Sequence, residues 1–205
     1  MIQLSEHFSY IKLMRFTIPT VAMMIFTSVY GVVDGLFVSN VAGSESFAGV
    51  NLIMPALMML GSVGFMIGTG GSALVSKTIG EGNKKLANRY FSMLIYFLVI
   101  ASIVLAAIGI LFIRQISELL GAEGEMVNIC SVYGRTLLFA HPFFMLQNCF
   151  QSFLVVAEKP AMGLGVSLAA GLTNMVLDFL FIYVLGLGVF GAALATGISQ
   201  FIGAM

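Results

Sequence analysis

Six stretches of the chain run without Asp, Glu, Lys or Arg: residues 16–33, 46–76, 90–113, 136–157, 160–177 and 179–205. A helical bilayer span takes about 20 residues at a rise of about 1.5 Å each. The runs therefore predict six membrane helices near 15–40, 47–75, 89–113, 133–157, 161–185 and 188–205. Membrane strands would be about 10 residues long and would alternate strictly in polarity, and these runs do neither. The expected fold is all-α, a polytopic membrane bundle of six transmembrane helices. Ahead of it, Leu4, Phe8 and Ile11 recur at helical spacing, and Lys12 and Arg15 precede the first run. Residues 1–15 read as a cytoplasmic interfacial lead-in and 16–205 as a six-helix lobe. A cleaved signal peptide is disfavoured, because the first apolar run is too long for one and continues past Asp34 to Val41 with no small-residue cleavage site.

Composition sharpens this picture. Of 205 residues, 60% are hydrophobic and 9% charged, with mean hydropathy +1.06, against about 25% charged in soluble domains. The chain is an integral membrane protein. A formal net charge of zero and the lack of a basic run argue against nucleic acid as a partner. Cys130 and Cys149 have no CxxC spacing and read as apolar packing residues. If the helices alternate, Lys12, Arg15, Lys77, Lys84, Lys85, Arg89 and Lys159 share one side. The other side holds Glu45, Glu118, Glu123, Glu125 and, of the cations, Arg114. The positive-inside rule then places the N-terminus in the cytoplasm of a multi-pass plasma (cytoplasmic) membrane protein. The last run ends at Met205 with no charge or aromatic belt after it, and no repeat is evident among the six helices. The expectation is an interrupted protein whose repeat partner lies outside this chain.

Candidate chemistry is sparse inside the spans. Asp34 and Asp178 are the two carboxylates there. Asn174 stands four residues before Asp178, on one helix face with Gly171, Ser167 and Gly163. This small and polar stripe should face protein or water, leaving Val166, Leu168, Leu172, Val176 and Phe179 to point elsewhere. Counting from the helix ends, both acids lie on the order of 10 to 15 Å below the outer surface, and Thr196 on the sixth helix reaches the same layer. A carboxylate at helix centre costs about 2.5 to 3.5 kcal/mol, and two together repel. A proton or a hard monovalent cation relieves both penalties, and carboxylate, amide and hydroxyl oxygens suit Na⁺ as well as a shared H⁺. Asp34, Asn174, Asp178 and Thr196 are the candidate cation-binding residues, with Na⁺ the candidate metal. No catalytic group and no cofactor beyond the coupling ion is expected. The bland alternative pairs each Asp with a neighbouring helix or with Arg135, which otherwise sits at the outer mouth of the fourth helix.

Other features weigh less. Gly186-Leu187-Gly188-Val189-Phe190-Gly191 is formally GxGxxG but joins two membrane helices, so a tight turn is expected rather than a dinucleotide site. Gly31 with Gly35 and Gly64 with Gly68 are GxxxG pairs, read as internal helix packing ahead of a dimer seam. His141, before Pro142, has no partner at ligand spacing and is read as a packing or kink residue. Fourteen Met and eighteen Phe suit an adaptable apolar cavity, though most must face lipid or other helices. Pro19 and Pro55 lie within spans and are expected to bend them, freeing backbone carbonyls.

These residues together resemble a known family. Pro19, Asp34-Gly35-Leu36-Phe37-Val38, Pro55, the run from Gly70 to Asn83 leading into Ala87, Lys159-Pro160, Asn174 with Asp178, and Gly191 to Thr196 are similar to the multidrug and toxic compound extrusion (MATE) family over nearly the whole chain. Ser39 stands where that family often has glycine. The resemblance implies half of a twelve-helix fold of two six-helix lobes, with the second lobe absent from this chain. It also implies exchange of cationic, amphipathic drugs and toxic organic compounds for Na⁺ or H⁺, with Asp34, Asn174, Asp178 and Thr196 as the cation site of the first lobe. The expected partners are those small molecules, the lipid bilayer and the missing C-terminal lobe or a second six-helix half. A lipid-linked precursor flippase of related fold is the alternative within transport. An intramembrane aspartyl protease, which also needs two membrane carboxylates, is the alternative from another class, but the Gly-x-Gly-Asp pattern of that chemistry is missing.

Overall fold

The computed structural model describes residues 10–205. Each apolar run becomes a helix: α1 (Tyr10–Phe37), α2 (Ser44–Gly80), α3 (Lys84–Leu119), α4 (Glu125–Val156), α5 (Pro160–Asp178) and α6 (Gly188–Ala204). The first and fifth helices do not stop at those limits. Each widens into a π-helical turn, Val38–Ala42 after α1 and Phe179–Val184 after α5. Five of these helical units are long and apolar enough to cross a bilayer. The sixth, α6, is a shorter, predominantly apolar helix of 17 residues.

The helices sit where the hydrophobic runs put them, yet α2, α3 and α4 are longer than those runs. Charge marks the edge of the hydrocarbon layer, not the end of the backbone hydrogen-bond ladder. Beyond the lipid edge the helices continue through polar residues. Lys77 reaches Glu81 at 3.9 Å and Arg114 reaches Glu118 at 3.1 Å, both one turn apart and modestly stabilising. α4 begins at Glu125, eight residues before its apolar run suggests. α1 likewise already runs from Tyr10, through the second part of the segment read as a lead-in; Leu4 and Phe8 lie outside the described residues.

The turns follow local chemistry. Asn83 caps α3 by accepting from the Leu86 amide at 3.1 Å, satisfying one of the free donors of a helix start. Pro160 opens α5 in its first turn, where its missing N–H costs nothing. Between α5 and α6, Gly186 and Gly188 adopt φ +63° and +55°, so the GxGxxG stretch is a tight helical turn as its position suggests.

Packing runs α1 on α5, α5 on α6, α6 on α4 and α4 on α2, with α3 against α2 and α4. The main core lies between α2, α4 and α6, from Ile53, Leu57, Tyr133, Leu137, Leu138, Ala192 and Ala193. Gly64 and Gly68 set the closest approach: a methyl group at either would meet the α4 backbone, at Met145 Cα (2.8 Å) and Cys149 Cα (2.9 Å). That GxxxG pair is internal packing. The Gly31 and Gly35 pair behaves otherwise, since nothing lies within 4 Å of a methyl at Gly31 and only the Phe47 ring approaches Gly35. Both cysteines are free and buried, Cys130 donating to the Gly49 carbonyl at 3.2 Å. His141 is buried beside Gly61 and the Phe144 ring, so it packs α4 onto α2.

Candidate cation site and family

The stripe on α5 faces inward along its whole length. Gly163, Ser167, Gly171, Asn174 and Asp178 are all buried, whereas Leu172, Val176 and Phe179 are about half exposed or more. The reason is steric as well as polar. A methyl at Gly171 would meet Phe26 Cε1 at 2.5 Å and Tyr30 Cδ1 at 3.0 Å, so this glycine lets α1 lie directly on α5. Asp34, one turn beyond Tyr30, is thereby carried to the level of Asp178.

There the Asp34 and Asp178 carboxyl groups approach to hydrogen-bonding range. Two ionised carboxylates have four acceptor oxygens and no donor between them. Asp34 Oδ1 and both oxygens of Asp178 are indeed buried with no hydrogen-bond partner. Asn174 donates its Nδ2 to Thr196 Oγ1 at 3.4 Å, tying α5 to α6. That bond leaves Asn174 Oδ1 buried and unpartnered as well. The four residues singled out in the sequence are thus brought to one layer by three helices. Asp34 lies eight residues before the end of its helical unit at Ala42, Asp178 six before Val184, and Thr196 eight after Gly188. At about 1.5 Å per residue, that is on the order of 10 Å from the helix ends.

Tyr133 on α4 completes the cluster and was not singled out in the sequence. It is fully buried, its hydroxyl is unpartnered, and it lies within electrostatic reach of both Asp34 and Asp178. Its signal in the sequence is a phenol within an apolar helix, a ring whose hydroxyl needs a partner. The helix start expected near residue 133 hid it by placing it at the membrane edge. Arg135 joins neither acid. It is exposed on the other face of α4, which removes the salt bridge to Asp34 considered above.

Asp34 is also the point of access. A cavity of about 450 Å³ opens between α1 and α2, lined by Ser28, Gly31, Asp34, Ser39, Asn51 and neighbouring apolar groups. Gly31 and Gly35 keep the α1 wall of this cavity low. Pro55 lies inside α2 and supplies no amide to the carbonyl of Asn51 one turn back, a residue that lines the same cavity. Pro19, within α1, likewise supplies no amide to the carbonyl one turn back. Asp178, with no exposure at all, lies behind Asp34. Among the described residues no group of three or more His, Cys, Asp or Glu side chains forms a metal cluster. Oxygens of mixed type are what the site offers instead.

This arrangement has known counterparts. The sequence profile described as MatE matches residues 19–180. The chain belongs to the MatE family. Among its relatives, the multidrug export protein MepA of Staphylococcus saprophyticus is 26% identical over 193 residues, covering 94% of this chain and 43% of MepA. MepA of Staphylococcus haemolyticus is 28% identical over 188 residues, covering 92% and 42%. Among solved structures, an outward-facing MATE family transporter of the MOP superfamily superposes with a TM-score of 0.87 at 28% identity, over 93% of this chain and 42% of that one. A MatE structure described as bent and another described as straight each give 0.85. The chain spans less than half the length of the relatives it matches, and its helices reproduce half of the MATE transporter fold.

Proposed function

We propose that this chain is the N-terminal six-helix lobe of a cation-coupled multidrug exporter, binding Na⁺ or H⁺ at Asp34, Asn174, Asp178 and Thr196. The observation that carries this reading is the set of buried oxygens without a hydrogen-bond partner, on Asp34, Asn174 and Asp178 of α1 and α5 and on the Tyr133 hydroxyl of α4. Burying polar oxygens unpaired costs on the order of 1 to 3 kcal/mol each and more when they are charged. A captured cation offsets that cost at each oxygen that coordinates it, and a captured proton removes one charge and supplies one O–H donor between the two carboxyl groups. The MepA relatives are named multidrug export proteins, which supports drug export for this chain; amphipathic organic cations are the substrate class we propose.

In this mechanism the empty site carries up to two negative charges facing one another beneath a cavity that reaches Asp34. Ion entry neutralises the repulsion between Asp34 and Asp178, across the α1–α5 contact already closed at Gly171, and changes the packing of α1 beyond Pro19. The driving force is the inward ion gradient, worth about 2.3 kcal/mol per charge per 100 mV. The test is Asp178→Asn and Asp34→Asn in the intact transporter that carries this chain. Both variants are expected to lose ion-driven efflux of a fluorescent organic cation while still reaching the membrane. Wild-type efflux by either variant rejects the site.

A further inference from the structure

A second feature of the bundle lies away from the acid pair. Between α4 and α6 runs a groove of about 450 Å³, on the seam across the bundle from the α1–α2 opening, given that α6 lies between α5 and α4. Its floor is made of small residues, Ala140, Ala193 and Gly197, with a methyl at Gly197 falling 3.0 Å from Ala140 Cβ. Its walls include Phe139, 74% exposed, and Phe190, 45% exposed. One end is closed by Phe143 and Phe201, whose rings meet edge to face at 4.9 Å. The other end carries Arg135.

The dimensions and the charge both select an occupant. From the level of Phe190 to that of Phe201 is eleven residues of α6, roughly 16 Å along the helix, the scale of one lipid acyl chain. Arg135 lies ten residues, nearly three turns, after the start of α4 at Glu125 and lines the groove beside Phe190 near the start of α6, from where its long side chain can reach toward the headgroups. It is exposed, and no carboxylate pairs with it among the described residues. A guanidinium binds phosphate oxygens through a fork of N–H donors, and a lone cation at membrane depth calls for a counter-charge. We propose that this groove is a binding site for one anionic phospholipid, its acyl chain laid over Ala140, Ala193 and Gly197 between the phenylalanine walls and its headgroup phosphate held by Arg135. α3 carries exposed apolar side chains of its own, Ile100, Ile103 and Leu111 among them.

The test uses the intact transporter carrying this chain, purified in mild detergent and equilibrated with vesicles of equal phosphatidylglycerol and phosphatidylcholine. Native mass spectrometry is expected to find one phosphatidylglycerol retained per chain, at least about tenfold over phosphatidylcholine. Arg135→Gln should abolish that preference, and Gly197→Leu, which fills the floor, should remove the retained lipid. Because Gly197→Leu tests packing as well, a phosphatidylglycerol with a photoactivatable acyl chain is applied to the wild type. Its label is expected on α4 and α6 at Phe139 to Phe143 and Phe190 to Phe201. Equal retention of the two lipids, an unchanged preference in Arg135→Gln, full competition by inorganic phosphate, or labelling confined to α3 overturns the proposal. So does cross-linking of these residues to another protein segment in place of lipid.

Discussion

At the scale of single residues, the informative comparison is between Tyr133 and Thr196. Both present a hydroxyl to the acid layer, but Thr196 is already engaged with Asn174 whereas the Tyr133 hydroxyl is buried without a partner. Tyr133→Phe removes one oxygen and leaves the ring in its slot among Ile53, Leu137 and Leu138. A hydrogen bond to a charged group is worth about 1.5 to 3 kcal/mol, so the variant is expected to bind the coupling ion at least about tenfold more weakly. Its ion-free melting temperature should be unchanged or slightly higher, because an unsatisfied buried hydroxyl has gone. Thermal unfolding across a Na⁺ titration and a pH series reads both quantities, since a ligand at one hundred times its Kd stabilises by about 2.7 kcal/mol. Unaltered ion-dependent stabilisation would take Tyr133 out of the site. Asp34, Asn174, Asp178 and Thr196 were legible in the sequence because an acid or amide within an apolar run is conspicuous and helix depth is countable. Tyr133 was not, because a phenol is unremarkable in a membrane helix until its hydroxyl is found with nothing to bond.

At the scale of elements, the placement of all six helices could be read from charge-free runs, but what lies at their ends could not. α2, α3 and α4 continue past the lipid edge because polar helix formers such as Lys84, Lys85 and Glu125 sustain the ladder in water. The π turns after α1 and α5 left no trace either, since Val38-Ser39-Asn40-Val41-Ala42 and Phe179 to Val184 fit an α-helix equally well. These two turns touch one another beside the acids, and wide turns of this kind are frequent at functional sites. The α2–α4 contact was half legible: two GxxxG motifs look alike in sequence, yet Gly64 and Gly68 pack α2 on α4 and Gly31 and Gly35 border the Asp34 cavity. The distinction makes opposite predictions. Gly68→Val places side-chain carbon against the Cys149 backbone, an overpacking worth about 1 to 3 kcal/mol, and is expected to lower the melting temperature by several degrees. Gly31→Ala meets open space and should leave stability within about 0.5 kcal/mol while narrowing the approach to Asp34, seen as slower ion exchange. Equal destabilisation by both would mean that the cavity between α1 and α2 is closed in the membrane.

For the whole molecule, the deciding feature is what six helices can do without a counterpart. Asp34, Asn174, Tyr133 and Asp178 already bring unpartnered oxygens together within this chain, and the contacts α1 on α5 and α5 on α6 help to place them. Ion binding should therefore survive in the 205-residue chain by itself. Export requires more. A substrate pathway must close alternately on the two sides of the membrane, and the described walls of the Asp34 cavity come from α1, the π turn after it and α2, with Val32 and Leu36 half exposed or more beside it. The relatives are more than twice as long as the stretch they share with this chain, which is length enough for a second wall. The expected outcome for this chain expressed alone is insertion into the membrane, ion-dependent thermal stabilisation that is lost in Asp178→Asn, and no efflux of an organic cation. Supplying the second half of a MatE transporter as a separate chain should restore efflux at least partly, since the two lobes of this family are expected to meet across a face and not through one continuous core. Efflux by the 205 residues alone at the rate of the two-chain assembly would mean that two copies of this chain pair to form the pathway. The assembly would then be symmetric, with two acid pairs in place of one. Counting bound ions per chain in each preparation separates these arrangements: one site per two six-helix units for a transporter with an unlike second half, and one per unit for a pair of copies.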